Sequence, residues 1–202
     1  MEQKTNIRKL VLIAMLAALS AALMLFHVPL PFAPAFLEFD VAELPVLFAG
    51  FFLGPISGTL VVVIKVGLKL LQQGTTTVFV GELSNIFHSL TFMLPAAYVY
   101  KRNRSKTGAV LGMVVGTLVA SILAVCSNAW VMFPLYAKLY SLPVEAIVEM
   151  AAAVNPLVKD EMSLMLFSIL PFNLVKFSVT SILTYLIYKR AGTVLRRLLH
   201  GR

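Results

Sequence analysis

The Lys and Arg residues of this chain crowd into three places, each beside a long apolar run. Lys4, Arg8 and Lys9 precede the first run; Lys101, Arg102, Arg104 and Lys106 separate two central runs; Lys189, Arg190, Arg196, Arg197 and Arg202 follow the last. The remaining connections are poor in Lys and Arg, and Glu38, Asp40 and Glu43 cluster in the first of them. This is the positive-inside distribution of a polytopic membrane protein. It sets both the class of fold and an expected orientation, with the basic clusters in the cytoplasm.

The composition agrees. Charged residues make up 13% of the 202 residues, against about 25% in an ordinary soluble domain. The net charge of +8 does not indicate nucleic-acid binding, because the cations flank apolar runs instead of lining one polar face. Cys126 is the single cysteine, which excludes an intrachain disulfide and a cysteine-based zinc site. The first apolar run has a basic start but no A-x-A site leading into a polar domain, so it reads as a retained helix and not a signal peptide.

A helix needs about 20 apolar residues to cross a bilayer core. The sequence predicts six segments, at about 8–27, 41–53, 55–72, 79–100, 107–133 and 163–188. The fold expected is a single all-α integral membrane domain over 1–202, with six transmembrane helices and cytoplasmic N- and C-termini. Residues 28–40 hold Pro29, Pro31 and Pro34 and read as an extended outer loop able to act as a lid. The 41–53 segment is too short to span unaided, and 134–162 reads as a long polar connection with room for a short helix. No internal repeat and no P-loop is present, so the chain cannot hydrolyse ATP by itself.

Polar residues inside apolar spans are costly and each needs a reason. Asn173 and Lys176 share a face of the last span, Asn128 lies near Trp130 and Tyr136, and Glu82, Asn85 and His88 repeat at i, i+3. By the expected topology all sit in the outward halves of their spans and outline one pocket, with aromatic walls from residues such as Phe39 and Trp130. Asn amides donate and accept, which suits a ligand with alternating N–H and C=O groups. The competing reading is that these side chains only tie helices together. Lys65 and Lys69 share a face of the third segment and read as structural, Lys65 needing Glu82 or an outer-loop acid as partner. His27 reads as interfacial, and His88 lacks the companions a metal site requires. Ala14, Ala17, Ala18, Ala21 and Ala22 give the first helix a small-residue stripe, suited either to packing within the bundle or to docking on another membrane protein.

The run PFAPAFLEFDVAELPVLFAGFFLGPISG, followed in order by GELSNIF, SNAWVMFPLY and PFNLVK, resembles the substrate-binding S components of energy-coupling factor (ECF) transporters, above all the riboflavin-specific ones. The resemblance covers nearly the whole chain. It implies an S-component bundle that binds a vitamin from outside. Such a subunit then works with a transmembrane coupling subunit and two ATPases, whose action topples it and releases the vitamin inside. It implies docking through Ala14 and Ala18, a flavin-contacting Asn at Asn128, and ligand contacts from Asn173 and Lys176. Asp40, Glu43 and Pro45 match a first-loop acidic motif, with Glu in place of its second Asp. Riboflavin would be the transported ligand and no cofactor is implied. The setting implied is the cytoplasmic membrane of a prokaryote.

No catalytic set is visible: there is no GxSxG, no Ser-His-Asp order and no pair of metal-binding carboxylates. The chain therefore does not read as an enzyme. Two alternatives stay open at the level of sequence. One is an S component for another vitamin or flavin; the other is an autonomous ion-coupled carrier, for which Glu82 is the one clear intramembrane acid.

Overall fold

The computed structural model describes residues 2–34, 36–75, 77–139 and 141–200; Arg202, counted above in the last basic cluster, lies outside them. Among the described residues every named element is helical. Its elements are α1 (Glu2–Leu25), α2 (Glu43–Phe48), α3 (Pro55–Gln73), α4 (Val80–Arg102), α5 (Lys106–Ser127), α6 (Phe133–Leu139), α7 (Val144–Ala152), α8 (Glu161–Leu164) and α9 (Leu170–His200). Three π-helical turns join neighbours into longer rods: Ala49–Leu53 extends α2, Asn128–Met132 links α5 to α6, and Met165–Ile169 links α8 to α9. The only extended pairing among the described residues is a single antiparallel bridge, Val28 with Phe39, which closes the loop between α1 and α2.

Among the described residues, four stretches are long and apolar enough to cross a membrane: Ile7–Leu25, Pro55–Gln73, Lys106–Leu139 and Glu161–Leu199. The α4 helix matches them in length, but Glu82, Ser84, Asn85, His88 and Ser89 make its first half polar. The rod Glu43–Leu53 is shorter, as its composition requires. It stops at Gly54, whose φ of +100° a side chain would strain, and Pro55 then opens α3 with the fixed φ suited to a first helical turn.

Two boundaries run past the sequence expectation. The fifth segment continues through Pro134 to Leu139, because the π turn just before the proline absorbs the misfit in the hydrogen-bond ladder. The last helix extends from 188 to His200 through its basic cluster. Lys and Arg are good helix formers, and Ala191, Leu195 and Leu199 keep an apolar stripe on the core. The connection after Leu139 does carry a short helix, α7, which packs through Ile147 and Ala151 on Phe133, Leu164 and Ile169. Asp160 caps α8: its carboxylate accepts from the Ser163 N–H at 2.8 Å, a bond that holds its pKa below the ordinary value.

The most extensive pairing is α4 against α5. Gly112 and Gly116 make it possible, since a Cβ on them would stand 2.5 Å from the carbonyl oxygens of Ala96 and Phe92 respectively. Small residues at i, i+4 let two backbones meet, which is how helices associate where no hydrophobic drive acts between them. Below this seam Phe92 stacks on Phe177 with centroids 4.5 Å apart, and further on the Tyr100 and Tyr188 hydroxyls bond at 2.8 Å. These contacts fill the bundle between its two ends.

Candidate ligand-binding site

A cavity of about 180 Å³ opens at the end of the bundle that holds the α1–α2 loop. Its lining comes from the last turn of α1 (Met24), the loop (Leu37, Glu38, Asp40), the start of α2 (Glu43), and Lys69 of α3. The first half of α4 adds Glu82, Asn85, His88 and Ser89; the π turn after α5 adds Asn128; α9 adds Phe172, Asn173, Lys176 and Phe177. Phe133 and Tyr136 complete the wall.

Both asparagines are held by their own helices. Asn128 Nδ2 donates to the Ala124 carbonyl at 2.7 Å, and Asn173 Nδ2 donates to the Ile169 carbonyl at 2.9 Å. Asn128 opens one π turn, where the ladder of the helix is out of step, and Asn173 stands one turn past another, bonded to its last residue, Ile169. The amide thus fixes its own plane while the residue faces the cavity. Pro171 contributes to the same distortion. It has no N–H to offer the Phe167 carbonyl, and Asn155 Nδ2 from the α7–α8 connection takes that place at 2.9 Å.

Three ion pairs tie the loop and α2 to the bundle. Lys176 Nζ donates to Asp40 Oδ2 at 2.8 Å and to the Glu38 carbonyl at 3.0 Å. Lys69 Nζ meets Glu38 Oε2 at 3.2 Å. Lys65, fully buried, donates to Glu43 Oε1 and to Ser89 Oγ, and Ser89 Oγ donates to the same Glu43 oxygen at 2.7 Å. Asp40 also accepts from the Ala42 N–H at 2.8 Å, which turns the chain into α2. Burial disfavours the charged Asp40 carboxyl, but the Lys176 and Lys65 ammoniums outweigh it and hold the group below the usual carboxylate value. Glu43 Oε2 is buried with no hydrogen-bond partner among the described residues. Glu82 accepts from the Thr75 and Thr77 hydroxyls at 3.1 and 3.2 Å, and His88 Nε2 lies 3.0 Å from Ser127 Oγ.

Among the residues picked out in the sequence, Asp40, Glu82, Asn85, Asn128, Asn173 and Lys176 therefore converge on one cavity. Phe39 and Trp130 do not line it. Phe39 is turned aside by its backbone pairing with Val28, and Trp130, 76% exposed, points away from the bundle. The aromatic walls are instead Phe36, Phe133, Phe172 and Phe177. Lys65 finds its partner in Glu43, an acid of the first-loop cluster, and not in Glu82. Ser89 joins the site without having stood out in the sequence, although it lies one turn from Asn85 on the same face. Ala14 and Ala18 are exposed on α1, whereas Ala17 and Ala21 are buried against the bundle. The described residues hold no group of His, Cys, Asp and Glu fit for a metal ion.

The model of the family described as "ECF transporter, substrate-specific component" matches residues 8–188. The chain belongs to this family. As a substrate-specific component it is a membrane transport subunit and not an enzyme. It is 31% identical over 192 residues to the riboflavin transporter RibU of Staphylococcus aureus strain TCH60, covering 95% of this chain and 94% of that one. It is 30% identical over 184 residues to the riboflavin transporter FmnP of Bacillus subtilis strain 168, covering 91% of each. A solved structure described as the S component of a bacterial ECF transporter superposes with a TM-score of 0.74 at 29% identity, over 95% of this chain and 99% of that one. The S-component fold and the likeness stated from sequence thus agree.

Proposed function

We propose that this S component captures riboflavin and delivers it across the cytoplasmic membrane of a prokaryote, driven by a coupling subunit and two ATPases. The observation that carries this reading is the pair of helix-anchored amides, Asn128 and Asn173, facing one cavity beside Lys176. An isoalloxazine edge alternates N–H and C=O groups, which two oriented amides can match. Its apolar rings suit Phe133, Phe172 and Phe177. Glu43 Oε2, buried and unpartnered, is an acceptor for a ribityl hydroxyl. The relatives named as riboflavin transporters support the same ligand.

In this reading the chain crosses the membrane six times, through α1, the α2 rod, α3, α4, α5–α6 and α8–α9. Both termini and the connection around Asn103 are cytoplasmic, as the basic clusters ask. The cavity then faces outward. At about 180 Å³ it is smaller than the roughly 300 Å³ at which small-molecule pockets begin, so the loop over 28–40 acts as a lid that lifts to admit the ligand and closes on it. The exposed Ala14 and Ala18 face serves for docking on the coupling subunit.

Purification and mass spectrometry test the ligand directly. Protein made in riboflavin-replete cells should carry one flavin per chain, and ligand-free protein should rebind riboflavin stoichiometrically. A different co-purifying vitamin, or no binding of riboflavin by folded protein, would reject the assignment.

A further inference from the structure

A second concavity, which shares no lining residue with the vitamin cavity, lies on the seam between α5 and α9. It is a groove of about 640 Å³. Val110, Val114 and Leu118 form one bank at i, i+4 spacing, and Leu174, Ile182 and Tyr185 the other. Val114, Leu118 and Ile182 are each half exposed or more, so no described element of the bundle covers the groove. Its few polar groups are short hydroxyls; Thr117 and Ser181 lie 3.4 Å apart and answer each other.

One end of the groove is charged. Lys106, a turn before Val110, places its ammonium over the Tyr185 ring, 4.0 Å from the centroid. Lys189 follows Tyr185 by one turn on the same face of α9 and is exposed. Lys101, Arg102 and Arg104 lie just before α5. The acids of the described side chains, from Glu38 to Glu161, belong to the loops, helix starts and α7 at the opposite end. Among the described side chains this end is thus cationic, with no acid to neutralise it.

We propose that the α5–α9 groove is a binding site for an anionic phospholipid, its acyl chain in the groove and its headgroup phosphate on Lys106 and Lys189. This rests on the membrane reading above, which puts the charged end at the inner surface, where anionic lipids attract basic residues. The dimensions fit one leaflet. The α9 bank from Leu174 to Tyr185 spans about 16 Å of helix, and half a hydrocarbon core is about 15 Å. A partner helix fits less well. Close helix approach in lipid uses small residues, which α1 exposes at Ala14, Ala18 and Ala22, whereas this groove is banked by Val, Leu, Ile and Tyr.

Native mass spectrometry from detergent, with phosphatidylglycerol or phosphatidylcholine added, tests the proposal without reference to flavin or orientation. The unmodified chain should retain one phosphatidylglycerol in preference to phosphatidylcholine. The double variant Lys106→Gln with Lys189→Gln should lose that preference, with retention falling roughly 10- to 30-fold for two near-surface cations. Val114→Trp should fill the groove and reduce retention of both lipids. Thermal melts followed by circular dichroism show that each variant is folded, so a lost adduct reports on the groove. Equal retention of the two lipids by the unmodified chain would overturn the proposal. So would unchanged phosphatidylglycerol retention in both folded variants, or a dimer that Val114→Trp abolishes, since a second copy would then be the occupant. The flavin assignment can fail while this result stands, and the reverse also holds.

Discussion

At the scale of single residues, the polar groups inside the bundle divide into those that bind its parts together and those left for a ligand. Lys65 belongs to the first set and Glu43 to both, with Oε1 on Lys65 and Ser89 and Oε2 proposed for the ligand. Removing one partner of a buried pair leaves an uncompensated charge, at about 3–5 kcal/mol, whereas replacing both by apolar groups can be neutral. Lys65→Met should therefore lower the melting temperature of detergent-solubilised protein sharply, and Lys65→Met with Glu43→Leu should recover most of it. Asn173 belongs to the second set as proposed. Asn173→Leu should weaken riboflavin binding roughly 5- to 150-fold, the effect of about 1–3 kcal/mol for an unpaired polar group. An unchanged dissociation constant in folded protein would remove Asn173 from the site. These residues are legible in the sequence because an amide or ammonium inside an apolar run has no bland solvent to face. Trp130 shows where nearness in sequence misleads. Residues two apart on a helix do not face each other, so a tryptophan at i+2 from Asn128 does not share its wall. The ion pairs are only half legible, since pairing Lys65 with Glu43 depends on how α2 lies across α3.

At the scale of elements, the seam between α4 and α5 sets what the bundle tolerates. A Cβ on Gly116 would meet the Phe92 carbonyl, and backbone cannot yield as a side chain does. Gly116→Leu should destabilise by about 1–3 kcal/mol or more. Gly67 is the contrast, since a methyl added there would meet nothing within 4 Å. Gly67→Ala should be neutral or stabilising by up to about 1 kcal/mol from helix propensity alone. Melting of the two variants side by side checks both. The alanine stripe of α1 splits by the same logic: Ala17 and Ala21 serve the interior, while Ala14 and Ala18 are exposed. Ala14→Trp with Ala18→Trp should keep riboflavin binding and abolish ATP-dependent uptake; loss of both activities would mean that this face belongs to the bundle. Sequence can name the stripe but not its two faces, because both lie within one apolar helix and only the neighbours tell them apart. The π turns are equally hidden: no composition marks them, and they reset the helix phase at Asn128 and one turn before Asn173.

At the scale of the whole molecule, the helical class and the order of segments follow from apolar length and charge placement. Orientation is the open quantity, and it has a direct test. In a Cys126→Ser background, Asn103→Cys should resist an impermeant thiol reagent in intact cells and react once the cells are opened. Ready labelling from outside would turn the molecule over and move the proposed site to the other face.

The three ion pairs around the cavity have an electrical consequence. Four carboxylates, Glu38, Asp40, Glu43 and Glu82, stand beside three ammoniums, Lys65, Lys69 and Lys176, a formal excess of one negative charge around the cavity. Carrying one elementary charge through a membrane voltage involves about 2.3 kcal/mol per 100 mV, and for a cluster that moves together only the net charge counts. If the toppling that the resemblance implies carries this cluster across the bilayer, the field acts on its excess charge and not on all seven groups. Uptake by such a subunit would then respond to voltage, and an imposed potassium diffusion potential should change its rate; a rate indifferent to the potential would mean that these charges do not cross the field.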